Sequence, residues 1–165
     1  MAESYDSFYK WFRYLKTTHT DVLAYCIVPN HFHCILAADE RASRSLSSIL
    51  GNGKRFIAYD IIRKLQDSGY FKTLNYLSRS LNTTELTKNQ RHKVFKPSFH
   101  SSLIETSDSL HRVIEYIHLN PVSKNWKHVD DWRNYPFSSA PYYEQDMVNE
   151  HFTHFSEWML GPASH

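Results

Sequence analysis

Apolar positions change their spacing along the chain in a way that separates helices from strands. In DSFYKWFRYLKTT, residues 6–18, Phe8, Trp11, Phe12 and Leu15 recur at helical intervals, with Asp6 or Ser7 available as the cap. This aromatic stripe reads as core. In VLAYCIVPNHFHCIL, residues 22–36, two apolar runs are broken by Pro29 and Asn30, which are tight-turn residues. The pattern predicts a hairpin of strands Asp21–Val28 and His31–Ala38. Side chains alternate across a strand, so His31 and His33 share one face while Phe32 and Cys34 take the other. Helical spacing returns over Ser45–Gln66, where Leu46, Ile49, Leu50, Ile57, Ile61, Ile62 and Leu65 form an apolar face. Gly51 and Gly53 weaken its middle by roughly 1 kcal/mol each relative to Ala, and mark a kink or the close approach of another chain segment.

Beyond this helix the pattern fades. Residues 67–93 are polar and irregular, and LSRSLNTTELTKNQRHK reads as a loop or a short helical excursion. Another strand is expected around Ser98–Ile104. SDSLHRVIEYIHLNP predicts a helix that opens at a Ser or Asp cap and stops before Pro121. The aromatic tail WRNYPFSSAPYY is turn-rich, and Phe152–Leu160 is expected to form a last short helix. No internal repeat or long linker divides the chain, so residues 1–165 are expected to form a single domain. Hairpin strands set between helices predict an α+β fold, with helices on one face of an antiparallel sheet.

Composition narrows the setting. A chain of 165 residues, 15% aromatic and with only 4 Gly, can bury a real core. No stretch approaches the roughly 20 consecutive apolar residues of a membrane span, and MAESYDSFYKWF does not have the pattern of a signal peptide. A cytoplasmic protein with no membrane partner is expected. The two cysteines, Cys26 and Cys34, provide no disulfide framework and imply a reducing compartment. The small net charge of +2 conceals an asymmetry: residues 41–100 hold 12 Lys or Arg against 3 Asp or Glu, whereas residues 101–165 hold 4 against 9. Together with Phe56, Tyr59, Tyr70, Phe71 and Tyr76, the basic segment can track a phosphate backbone and stack on unpaired bases. A solvated helix face is the plainer reading of the same charges.

Two groups of residues carry candidate chemistry. His31 and His33, side by side on a strand, suit a single metal ion, although a His-x-His triplet in a chain with 11 histidines is a weak motif alone. A zinc site from Cys26, His31, His33 and Cys34 is disfavoured because His33 and Cys34 point to opposite faces. On the later helix, Tyr116 and Asn120 are four residues apart and share a face, while His118 points away. A phenol becomes a nucleophile when a nearby ion polarises and orients the phosphate it attacks. Asn120 can supply a neutral oxygen ligand; its ordinary role is to end a helix before Pro121.

PNHFH, then EYIHLNPV about eighty residues later, then DWRNYPFSSAPYY, resembles the HUH single-tyrosine transposase family, in particular its REP-associated tyrosine transposase branch. The match runs from about Val22 to Tyr143, with three motifs in order. The resemblance implies a ferredoxin-like antiparallel sheet with helices packed on it. It also implies a metal-dependent endonuclease and strand transferase that cuts single-stranded DNA beside hairpins through a 5′-phosphotyrosine. By motif position, Tyr116 is the nucleophile, and His31, His33 and Asn120 are ligands of Mg²⁺ or Mn²⁺, with imidazoles favouring Mn²⁺. Lys54 and Arg55, beside the two glycines, are the leading phosphate contacts.

Two departures accompany the resemblance. Relatives open with a central β-strand where this chain opens with a helix, so the usual first strand is expected to be lacking, offset by a shortened start or by residues 1–5 with a partner chain. The aromatic segment before the late strand is represented only loosely, by VFKPSFHSS. A prokaryotic, nucleoid-associated location follows from the resemblance, which leaves open whether Tyr116 serves its own centre or that of a partner in a homodimer. The competing expectations are a domesticated hairpin-binding protein that no longer cuts, and a metal-dependent phosphodiesterase in which water attacks and Tyr116 is merely packed.

Overall fold

The structure, a computed structural model, describes residues 2–42, 45–88, 90–96, 100–123, 127–145, 147 and 149–160. It is α+β, and its sheet among the described residues is one antiparallel pair. The chain divides into two compact units, Met1–Trp11 with Arg44–Ser102, and Phe12–Ser43 with Leu103–His165. No helix among the described residues is long and apolar enough to cross a membrane.

The second unit is built on the hairpin. Strand β1, Thr20–Val28, and strand β2, His31–Ala38, meet across the Pro29–Asn30 turn, close to the expected bounds. Val28 pairs with His31, Cys26 with His33 and Ala24 with Ile35, while Val22 pairs with Leu36, leaving Leu23 as a bulge. Every residue from Val22 to Val28 is buried. A strand buried on both faces reads as an uninterrupted apolar run, as VLAYCIV does.

Directly paired residues share a sheet face, so Ala24, Cys26, Val28, Ile35 and both histidines lie on one side. Helix α5, Ser107–Leu119, covers that side: its buried Leu110, Ile114 and Ile117 join Ala24, Cys26, Val28 and Ile35 in one core. Thr106 caps α5 reciprocally with Ser109. On the opposite side, Phe12 and Phe152 pack around Tyr25, with ring centroids 5.1 and 6.4 Å away. Phe12 belongs to the helix α1, Ala2–Lys16.

The edge of β1 away from β2 is occupied by the tail. Ile27 N–H donates to the Phe137 carbonyl at 2.9 Å, Ser139 N–H to the Tyr25 carbonyl at 2.9 Å and Thr153 N–H to the Val22 carbonyl at 2.9 Å. The hydroxyls of Tyr135 and Tyr143 donate to the carbonyls of Ile27, at 2.9 Å, and Leu23, at 2.7 Å. The tail is turn-rich, as expected, with two five- and six-residue helices, α6 at Ala140–Glu144 and α7 at Phe155–Leu160. The strand expected around Ser98–Ile104 is a correction. Residues 98 and 99 lie outside the described residues, and 100–104 are not in a strand. Residues 100–103 are exposed, Leu103 at 81%, and Ile104 packs against the core, so the stretch has no alternating buried face to align.

In the first unit, helix α2, Leu46–Asp67, starts at the Ser45 cap and buries Ile49, Gly53, Ile57 and Asp60 as one stripe. The cap expected at Asp6 or Ser7 is also corrected, because α1 begins at Ala2. Ser7 is buried and donates to Asp60 at 2.6 Å, and Asp6 pairs with Lys10 at 3.0 Å. Burial pushes the Asp60 carboxyl up, but hydrogen bonds from Ser7, Lys64 and Arg63 outweigh it and hold the group down to about 2. The stretch read as irregular contains α3, Phe71–Arg79, and α4, Thr83–Thr87, the latter opened by an Asn82–Glu85 capping box.

The two glycines of α2 behave differently. A Cβ on Gly53 would sit 2.3 Å from Cε2 of the buried Trp11, the close approach that the sequence suggested, whereas one on Gly51 would meet nothing within 4 Å. Gly51→Ala is therefore expected to stabilise the protein by up to about 1 kcal/mol. Gly53→Ala is expected to destabilise it by about 1–3 kcal/mol through overpacking. Opposite shifts of the thermal midpoint, followed by circular dichroism, would bear this out; equal shifts would contradict the packing described.

Candidate active site

His31 and His33 reach the α5 side of the hairpin because two residues separate them on one strand. Their rings stand edge to face, with centroids 5.1 Å apart at 83°. His31 Nδ1 lies 2.7 Å from Asn30 Oδ1, in the turn, and its Nε2 lies 2.9 Å from Asn120 Oδ1. Both amide oxygens accept, so the ring serves both contacts with a proton on each nitrogen; an ion that displaces the Nε2 proton would meet a lone pair there beside the Asn120 oxygen. Two electron-pair donors at that spacing match neighbouring ligands of one octahedral ion: bonds of ~2.1 Å at right angles place ligand atoms ~3 Å apart. The Asn30 contact is of the kind that orients a metal-bound imidazole from outside.

His33 completes the link to the helix. Its ring lies 5.4 Å from that of Tyr116, at 76°. Burial, and then the neighbouring charge of His31, lower its pKa below the usual histidine range, keeping the ring neutral and able to donate its lone pair at pH 7. Tyr116 is 59% exposed, so its hydroxyl can be reached from solvent. Asn120 is buried at the C-cap of α5, where Pro121 turns the chain into a short 3-10 segment, Asn120–Val122.

The structure thus brings together His31, His33, Tyr116 and Asn120 from two stretches of sequence, β2 and the end of α5. Lys54 and Arg55 lie on α2 in the first unit, where Lys54 Nζ stands 5.9 Å from the Phe95 ring and Arg55 donates to Asn52 at 3.1 Å. Among the described residues no group of three His, Cys, Asp or Glu is arranged to hold a metal, and the oxygen nearest the His31 Nε2 here is the Asn120 amide. Cys26 pairs with His33, whereas Cys34 pairs with Tyr25 on the other face of the hairpin, so the four residues of the zinc alternative do not converge.

His118, between the two α5 site residues, faces inward as its spacing requires. Its Nε2 lies 2.8 Å from Ser139 Oγ, and its ring stacks on Trp132 at 5.9 Å. The same Ser139 oxygen accepts from the Tyr25 N–H at 3.0 Å. The end of α5 is thereby tied to β1 on the face opposite Tyr116. Sequence reading placed His118 away from the site but missed Ser139, whose only signal was an unexplained Ser-Ser pair in an aromatic tail.

Compared with protein-family models, curated proteins and solved structures, the chain matches none of them.

Burial lowers the His118 pKa to about 4, so the ring is neutral at pH 7. Its contribution to stability is fully present above the unfolded value near 6.5 and is lost as pH falls through about 4, amounting to at most about 3 kcal/mol. Thermal midpoints measured between pH 7 and 4 are expected to fall steeply in the natural chain and less steeply in His118→Gln. An identical slope in the two proteins would contradict this assignment.

Proposed function

We propose that this chain is a metal-dependent single-stranded DNA endonuclease and strand transferase that acts beside DNA hairpins, with Tyr116 as its nucleophile. The observation that carries the reading is the meeting of the two hairpin imidazoles with the α5 phenol and amide, His31 with Asn120 at 2.9 Å and His33 with Tyr116 at 5.4 Å. These are the residues singled out by the resemblance to HUH single-tyrosine transposases. The same reading takes the sheet as ferredoxin-like. Its support is the outer edge of β1, where Cys26 and Ser138 form an isolated antiparallel bridge on the side that a further strand would occupy.

In the proposed reaction the Tyr116 oxygen attacks a backbone phosphorus and the bond to the 3′ oxygen breaks. The phenol proton passes to water, and the departing 3′ oxygen takes a proton to leave as a hydroxyl. The 5′ phosphate stays on Tyr116 as a diester, so a second 3′ hydroxyl can attack it and regenerate the phenol. Cutting and joining are then one transesterification run in two directions. A divalent cation, Mg²⁺ or Mn²⁺, held by His31, His33 and Asn120 would neutralise phosphate oxygens and polarise the phosphorus. Tyr116 and His33 adjoin within one chain, so the nucleophile requires no second subunit, although a homodimer is compatible with the reading. The DNA substrate implies a nucleoid-associated, prokaryotic cytoplasmic setting. The exposure of Tyr116 argues against the alternative in which its ring is merely packed and water attacks.

Incubation with Mn²⁺ and a labelled hairpin oligonucleotide with a single-stranded flank is expected to give a protein–DNA adduct that survives denaturing electrophoresis. Tyr116→Phe should still bind the oligonucleotide and lower adduct formation by at least about a thousandfold. Chelation should stop the reaction and Mn²⁺ restore it. An adduct persisting in Tyr116→Phe would assign the nucleophile elsewhere. Nicking without an adduct would indicate water attack, and binding without nicking would indicate the domesticated, inactive binder.

A further inference from the structure

Helix α2 has a second face. While Ile49, Gly53 and Ile57 point into the first unit, Phe56 and Tyr59 remain 46% and 67% exposed. They line a hollow of about 320 Å³ together with Lys10, Asp60 and Arg63. That volume lies at the small end of ligand-binding cavities, ~300 Å³. Phe56, Tyr59 and Arg63 stand three and four residues apart, so the two rings and the guanidinium follow one helix face. Asp60, 8% exposed, forms the base, and Arg63, whose side chain is 65% exposed, forms the rim. The carboxylate orients the guanidinium without consuming it, because a five-donor fork that spends one N–H on Asp60 keeps others for an incoming oxygen. Lys10 Nζ lies 3.8 Å from the same carboxylate.

We propose that this hollow is a stacking site for an unpaired base of single-stranded DNA, with Phe56 and Tyr59 as the platform and Arg63 and Lys10 as contacts to the adjoining phosphates. Base–aromatic stacking accepts any base and needs a ring face open to solvent with cations nearby, which is the arrangement on α2. Charge decides between DNA and the other occupant of an exposed aromatic face, a second copy of the chain. At the hollow Lys10, Arg63 and Lys64 outnumber Asp6 and Asp60, and the surrounding residues 41–100 carry 12 Lys or Arg against 3 Asp or Glu, a positive balance that attracts a polyanion more than a second copy bearing the same charges. The site does not use Tyr116, and it rests on the proposed function only in taking DNA as the polymer.

The test uses the full chain carrying Tyr116→Phe, so that cutting does not enter, and reads the fluorescence anisotropy of a labelled unstructured deoxyoligonucleotide. Phe56→Ala and Tyr59→Ala are each expected to weaken binding by about 5- to 100-fold with the melting temperature unchanged. Tyr59→Trp should keep the affinity. Arg63→Gln and Lys10→Gln should make the logarithmic salt dependence shallower by about 0.7 each. A blunt duplex should bind equally to all the ring variants, since its bases are not available. Unchanged oligonucleotide affinity in the Phe56→Ala/Tyr59→Ala double variant would overturn the proposal. So would an equal loss in Tyr59→Trp, tighter binding of the matching ribo-oligonucleotide, or sedimentation showing that the double variant dissociates a dimer. Run beside the adduct assay, the two readings fail separately. Ring-dependent binding without any adduct would sink the catalytic reading alone, and adducts with ring-independent binding would sink this one.

Discussion

The outer edge of β1 is the constraint on which the candidate site depends. A strand buried from Val22 to Val28 carries backbone carbonyls that have no access to water, and each one left unpaired would cost about 1–3 kcal/mol. Four groups from the tail meet that demand: the Thr153 and Ser139 amides and the Tyr143 and Tyr135 hydroxyls. With that edge closed, β1 can present β2 on its other side and lie under α5. The histidines and the Tyr116–Asn120 face take their relation from this arrangement. The tail that looked like disconnected turns does the work of a neighbouring strand, through side chains as much as through backbone.

Helix α5 divides its two functions by angle. Ile114, Ile117 and His118 point toward the sheet, and Tyr116 and Asn120 point toward the histidines. The inward imidazole and Ser139 fasten the last turn, and under the proposed in-line attack a displacement of an ångström there would misalign the outward groups. Pro121 then ends the helix by withholding an N–H, which fixes the Asn120 amide at a defined height. Within the proposed function, this places the reacting groups on a helix anchored from behind and leaves their own face open for substrate.

The hairpin and α5 were legible because their signals are local and redundant. Pro29–Asn30 between apolar runs gives a turn and a register, and Pro121 gives a helix end. Alternation alone placed His31 and His33 together, and the four-residue interval placed Tyr116 with Asn120. What escaped has no period. The hydroxyls of Tyr135, Tyr143 and Ser139 act on a strand more than 100 residues earlier in the chain, and nothing in WRNYPFSSAPYY announces a backbone partner. The start of α1 escaped because Ser7, a good cap by type, is instead held inside by Asp60. Helix α3 escaped because it buries only Leu74, so its apolar stripe is too thin to register. The strand expected at Ser98–Ile104 has no alternating apolar face in SFHSSLI to hold it to a sheet.

The bulge at Leu23 separates the hairpin into two registers. Beyond it, Ala24, Cys26 and Val28 keep the pairs that place the histidines; before it, Val22 and Thr20 follow a pairing of their own. A bulge already holds one unmatched residue, so a single insertion or deletion near Thr20 can be absorbed there instead of being passed along the strand. In evolutionary terms, the segment that enters the sheet is free to vary in length while the histidine-bearing end keeps its parity.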